Sequence, residues 1–364
     1  MVNATHQQRF FGLDALRGIS AFAVVLFHYT YGYDNGYETI ADNKFYFKYG
    51  YLGVNLFFMI SGFVIAMTLE KTKDSKTFIT SRLSRLYPAY WAAIIITVLL
   101  TALIAAPIQR NMYNATEVMV NFTMLQAFLK VKHVSGSYWT LAIELTFNFW
   151  MWFIFITRKT RYMEWICLAW LIICVAITAF HIPFGKYLTI IFIVNYAPLF
   201  IGGILFYLIK KRGGSYLLHA MVVASMLASL YIAYIYKPVV AWKGGFDIIP
   251  YILSVFFYVI FYLFIYGKWD WKPNKILLFM GSISYSLYLI HENIGYGLIY
   301  WLKRVWDNQL FYLSVTVLAI TALAYLMYRY VEKPAMIKLR QYFSKKETNA
   351  MPLTNQNATA AKIG

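Results

Sequence analysis

The chain has 364 residues, of which 61% are hydrophobic and 13% charged, and it carries a net charge of +18. With a mean hydropathy of +0.56, this composition excludes a water-soluble fold, which would hold roughly 45–50% apolar and about 25% charged residues. An aromatic content of 20% excludes disorder as well. The fold class expected is an all-α polytopic membrane protein, in which the basic excess is a topology signal and not an affinity for nucleic acid.

A bilayer core demands about 20 apolar residues per crossing. Ten runs meet this in chain order: 13–31, 50–69, 86–106, 138–157, 162–180, 187–209, 216–236, 248–267, 276–302 and 310–330. Closed helices are expected because lipid offers no partner to open backbone groups. Arg17 inside the first run, with nine runs after it, argues against a cleaved signal peptide. Lys and Arg gather before the first run, in the even-numbered connections and after the tenth run. Both termini are therefore expected in the cytoplasm. The connection 107–137, on the opposite side, is too long for a structureless loop and predicts an interfacial helix or a lid. Residues 1–340 read as one integral-membrane domain, and 341–364 as a polar, disordered cytoplasmic tail. Cys167 and Cys174 share one apolar run and give neither a disulfide framework nor a metal spacing.

Ionisable groups inside a bilayer are costly, which makes each a functional candidate. Arg17 and His28 stand eleven residues apart, about three turns, so they share one helix face about 16 Å apart along the axis. Asp14 lies three residues before Arg17 and pairs with it. The blander alternatives are an Arg17 that snorkels to the interface and a His28 that bonds structurally. Gly53, Ser61 and Gly62 let helices approach closely. Arg82 and Arg85, three apart, are either a positive-inside anchor or a forked pair for a phosphate ligand. Glu144 is the only acid of the fourth run, and such a carboxylate takes up a proton or finds a cation. In the ninth run Ser284, Tyr288 and His291 follow i, i+4 and i+7, lining a pocket or cross-linking helices. His6, His133, His181 and His219 receive no role.

Six motifs in order then carry a resemblance. They are Leu13-Asp14-Ala15-Leu16-Arg17-Gly18 with His28, the stretch from Gly53 to Phe63, Arg82-Leu83-Ser84-Arg85-Leu86-Tyr87-Pro88, Trp139-Thr140-Leu141-Ala142-Ile143-Glu144, the stretch from Ser284 to His291, and Val331-Glu332-Lys333-Pro334. From Phe10 to Met336 the chain resembles the membrane acyltransferase-3 family. Ala15 stands where the family usually has Gly, and Thr140 and Asn148 where it often has Ser and Tyr. The SGNH-type hydrolase domain of two-domain members is not expected here.

The resemblance implies transfer of an acyl group, usually acetyl from acetyl-CoA, to a hydroxyl of a surface or lipid-linked polysaccharide in the bacterial inner membrane, with no metal. It makes His28 and Arg17 the essential pair and assigns Arg82 and Arg85 to the coenzyme. The chemistry agrees, since a sugar hydroxyl is a weak nucleophile that a histidine base activates, and guanidinium groups suit the coenzyme's phosphates. Glu144 joins the catalytic candidates. Asp14, Ser61, Trp139, Ser284, Tyr288 and His291 are the expected pocket residues.

Counting the helical rise from the run ends puts His28 and His291 about 22 Å, and Glu144 about 21 Å, above the cytoplasmic face. That predicts one shared site in the outer half, its acceptor entering under 107–137. Expected partners are acyl-CoA, a glycan or lipid-linked saccharide and membrane lipid; self-association is left open. The rival class is a proton-coupled transporter or flippase. It leaves Arg82 and Arg85 unexplained and lacks a matched pair of broken helices.

Overall fold

The apolar runs fold as helices. A computed structural model describes residues 10–36, 45–104, 113–180, 182, 184–236, 246–267 and 274–350, and among these no strand occurs. In chain order the helices are α1 (Phe11–Phe27), α2 (Tyr33–Gly36), α3 (Gly53–Lys71), α4 (Ser75–Ile104), α5 (Ala115–Asn121), α6 (Trp139–Ile156), α7 (Met163–Ala179), α8 (Gly185–Ile191), α9 (Ala197–Arg212), α10 (Tyr216–Tyr236), α11 (Ile249–Ile265), α12 (Lys275–Val305), α13 (Gln309–Met327) and α14 (Lys333–Ala350). Seven helical segments among the described residues are long and apolar enough to cross a membrane, and α11 is a shorter apolar helix. The chain is a multi-pass membrane protein. His6, His181, residues 105–112 and residues 351–364 lie outside the described residues.

Helix ends and breaks differ from the sequence expectation, each for a local reason. The third run begins at Ser75, not 86. Asp74 accepts from the Thr77 amide at 2.8 Å and the Thr77 hydroxyl at 2.6 Å, which caps the helix start. These donors hold the Asp74 carboxyl below its usual range. The run 187–209 is not one helix: α8 stops at Ile191, and α9 starts at Ala197 with a proline in its first turn. Pro198 cannot continue a helix from behind, yet its fixed φ suits a helix start. Trp150 donates to the Ile191 carbonyl at 2.7 Å and Trp170 to the Phe192 carbonyl at 2.9 Å, so two carbonyls freed at the break find side-chain partners.

The connection 107–137 does contain a helix, α5, started by a capping box between Asn114 and Glu117. At the other end, α14 runs across the expected boundary at 340 and keeps residues 341–350 helical. Proline near its start and the long straight side chains that follow favour this.

Glycines set two close crossings. A Cβ on Gly62 would be driven into the Phe200 carbonyl, and one on Gly203 into that of Met59, so α3 and α9 meet backbone to backbone. A Cβ on Gly281 would strike the Asp14 carbonyl, which brings α12 equally close to α1. One apolar cluster gathers α3, α6, α7, α9, α10 and α11 around Phe63, Phe200 and Phe206. A second gathers α1, α4, α12 and α13 around Tyr90, Leu289 and Tyr312. Phe57 packs against both, and the cavities open along their seam.

Candidate active site

The α1 helix loosens into a π turn over His28–Gly32, a geometry often found at functional positions. His28 Nδ1 lies 2.7 Å from the Tyr296 hydroxyl and 3.9 Å from Glu292 Oε1. Gly32 makes room for this: a Cβ there would stand 2.9 Å from the Tyr296 hydroxyl and 3.4 Å from His28 Nδ1. The His291 ring meets His28 edge-on, centroids 4.9 Å apart. His291 itself is 0% exposed and donates from Nδ1 to the Tyr288 carbonyl at 2.8 Å. Glu292 Oε2 accepts from the Ser135 hydroxyl at 2.9 Å and the Ser137 amide at 2.5 Å.

His28 and Glu292 face a cavity of about 500 Å³ whose lining, among the described residues, has no Lys, Arg or Asp. Its walls carry aromatic rings, Tyr51, Trp139, Tyr196 and Tyr251 among them, with the amides of Asn55 and Asn195. At its border Asp247 Oδ2 takes Lys48 Nζ at 2.8 Å and the Tyr49 hydroxyl at 2.9 Å. This clamp ties the turn before α3 to the start of α11.

A second cavity of about 70 Å³ lies one step further along α3, α6 and α12. Arg17, Arg85 and Glu144 line it, together with Ser61, Thr140 and Ser284. Val54 and Tyr288 line both cavities and so form the wall between them. The Tyr288 hydroxyl lies 2.9 Å from Thr140 Oγ1 and donates to the Ser137 carbonyl at 3.2 Å. Arg17 is within electrostatic reach of Asp14, Glu144, Arg82 and Arg85. Glu332, which accepts from Ser286 at 2.5 Å, is within reach of Arg85 and Arg17.

The structure thus gathers Arg17, Arg85, Glu144, Ser61 and Ser284 around one cavity and puts His28 and Trp139 on the other, with Tyr288 between. Five expectations change. Arg82 is 7% exposed, lies 5.7 Å over the Phe78 ring one turn before it and lines neither cavity. His291 backs His28 without reaching a cavity, and Asp14 lines neither. Glu144 belongs with the arginines and not with His28, since α6 begins at Trp139 and carries Glu144 past the dividing wall. Of the connection 107–137, only Gly136 and Ser137 line the larger cavity, so its described part does not cover the site.

The sequence reading missed Glu292 and Tyr296. The signal was present: Glu292 is an acid inside the ninth run, next to His291, and Tyr296 follows it by one turn. Among the described residues, no group of three His, Cys, Asp or Glu side chains is arranged to hold a metal.

The family model described as "Acyltransferase domain", that of the acyltransferase-3 family, matches residues 10–329. "Putative O-acetyltransferase SACOL0978" of Staphylococcus aureus (strain COL) is 27% identical over 369 residues, covering 89% of this chain and 56% of that protein. "Putative peptidoglycan O-acetyltransferase YrhL" of Bacillus subtilis (strain 168) is 23% identical over 386 residues, covering 95% of this chain and 58% of that protein. The chain spans about half the length of the curated relatives it matches. No solved structure matches it. With the motifs in order, the polar groups gathered inside a helical bundle and a family match over most of its length, the chain belongs to the acyltransferase-3 family.

Proposed function

We propose that the protein is an O-acetyltransferase of the bacterial inner membrane that moves acetyl from cytoplasmic acetyl-CoA to a hydroxyl of a surface or lipid-linked glycan. One observation carries this reading. His28 faces a cavity large enough for a sugar unit, and that cavity shares a wall with a second one lined by Arg17 and Arg85. The peptidoglycan named for the Bacillus relative supports a glycan acceptor. Aromatic rings and amides in the larger cavity suit the apolar faces and hydroxyls of a saccharide.

In this reading the chain crosses the membrane ten times, with α8 and α9 making one crossing, and both termini are cytoplasmic. Residues 341–364 form the cytoplasmic tail. The donor's phosphates approach from the Arg85 side, with Arg82 adding positive charge behind it, and Glu144 and Asp14 balance Arg17. The thioester reaches His28 past Tyr288. With Nδ1 engaged by Tyr296, the Nε2 lone pair takes the proton of the acceptor hydroxyl. The hydroxyl oxygen bonds to the thioester carbonyl carbon, the C–S bond breaks, and the sulfur leaves as a thiolate that regains the proton from His28. Arg17 offsets the negative charge of the donor's phosphates.

The test is acetyl transfer from acetyl-CoA to chitotetraose by the purified chain. His28→Ala is expected to lower transfer about 1,000-fold with acetyl-CoA binding intact by calorimetry. Transfer that survives His28→Ala removes the base role. Glycan movement across vesicles without any acetyl transfer would favour the carrier instead.

A further inference from the structure

We infer that Glu292 is the positioning residue that sets which nitrogen of His28 carries the proton. The inference rests on His28 acting as the base. For Nε2 to accept a proton, Nδ1 must already hold one. The Tyr296 hydroxyl, 2.7 Å from Nδ1, can donate or accept and so serves either tautomer. A carboxylate only accepts, and Glu292 Oε1 lies 3.9 Å from the same nitrogen. Its other oxygen is occupied by the Ser135 hydroxyl and the Ser137 amide, so the carboxylate is fixed with Oε1 toward the ring. Gly136 between those two serines presses its backbone against the Glu292 carboxylate, where a Cβ would collide. His291, edge-on to His28, limits the ring's rotation from another side. A fixed negative charge here favours Nδ1–H and stabilises the imidazolium formed as the hydroxyl attacks. Tyr296 then accepts the Nδ1–H bond.

The full-length chain in detergent is assayed with acetyl-CoA and chitotetraose, alongside His28→Ala. Glu292→Gln keeps an acceptor for the Ser137 amide but removes the charge. It is expected to lower kcat about 100-fold, with both KM values within about twofold of the parent and thermal stability unchanged. Glu292→Asp recovers about tenfold of that loss. Tyr296→Phe costs only a few-fold, and it serves as the deciding variant should Glu292→Gln fail to fold. A parental kcat in Glu292→Gln overturns the proposal. So does a loss confined to the chitotetraose KM, which would make Glu292 a binding group, and so does a Tyr296→Phe loss of about 100-fold. If His28→Ala stays active, the base reading falls. If His28→Ala is inactive and Glu292→Gln is not impaired, only the role of Glu292 falls.

Discussion

Two cavities stacked along α3, α6 and α12 are built from opposite chemistry. Among the described residues the larger is lined by rings, amides, one imidazole and one carboxylate, and by no Lys or Arg. The smaller compresses two guanidinium groups and a carboxylate around about 70 Å³. Charge inside a bilayer survives only when it is balanced, and the arginines have Asp14, Glu144 and Glu332 within reach. Such a cluster is preset for a charged group, and about 70 Å³ admits part of a large ligand and not the whole of it. The larger cavity has room but little charge, which suits an uncharged, hydroxyl-rich one. In the proposed function the difference separates holding the donor from activating the acceptor, with Tyr288 at the divide.

The largest effect that tests this separation is a pair of opposite losses. His28→Ala should abolish transfer, about 1,000-fold, without weakening acetyl-CoA. Arg85→Ala should weaken acetyl-CoA binding about 10- to 100-fold, since a charge-assisted hydrogen bond contributes about 1.5–3 kcal/mol, while the rate at saturating donor changes far less. Arg82→Ala should not imitate Arg85→Ala. Arg82 is buried against the Phe78 ring, a cation–π contact of about 0.5–2 kcal/mol, so the readout is a fall in thermal stability. Equal donor affinities for the Arg85 variant and its parent, measured by calorimetry, would take the arginines out of the donor site.

Much of this was legible in the sequence, and the failures are instructive. Apolar runs gave helices, the break at 192–196 apart, because a run of about 20 apolar residues has few other fates. The eleven-residue spacing of Arg17 and His28 did put both on an inward face. The break before Pro198 was hidden because the residues around it are as apolar as any helix interior. Rise-per-residue arithmetic put Glu144 level with His28. It could not resolve two cavities one turn apart, nor anticipate that Gly136–Tyr138 forms a tighter turn before α6. Arg82 was read as a pair with Arg85 because a three-residue spacing puts both on one side of a helix, and it does not say which of them meets a cavity. Glu292 was lost when the i, i+4, i+7 pattern ended at His291.

A smaller effect probes the wall. Tyr288→Phe keeps the ring but loses the hydroxyl's contacts with Thr140 and the Ser137 carbonyl. Neutral hydrogen bonds contribute about 0.5–1.5 kcal/mol each, and with two bonds at the low end of that range transfer should fall about fivefold. Tyr288→Ala removes the ring as well and joins the two spaces, and acetyl-CoA hydrolysis without transfer should rise. Should Tyr288→Ala leave hydrolysis at the parental level, Tyr288 would not be the barrier between water and thioester.

The smallest expected effect lies at the border of the larger cavity. Lys48 and Tyr49 precede Tyr51 and Leu52, and Asp247 precedes Pro250 and Tyr251, four residues that line that cavity and not the other. The Lys48–Asp247 pair at 2.8 Å has side-chain exposures of 29% and 16%. A partly exposed pair is worth about 0.2–1 kcal/mol, and salt screens it. Asp247→Asn should therefore lower thermal stability slightly, by an amount that shrinks at high ionic strength. Because the clamp sets the spacing of the two segments beside the acceptor, the KM for chitotetraose should rise about twofold while kcat stays within error. The acetyl-CoA KM should not move, since no side chain of the clamp reaches the cavity of Arg17 and Arg85. A rise in the acetyl-CoA KM equal to that for chitotetraose would mean that the cavities respond as one, and the division of labour between them would have to be abandoned.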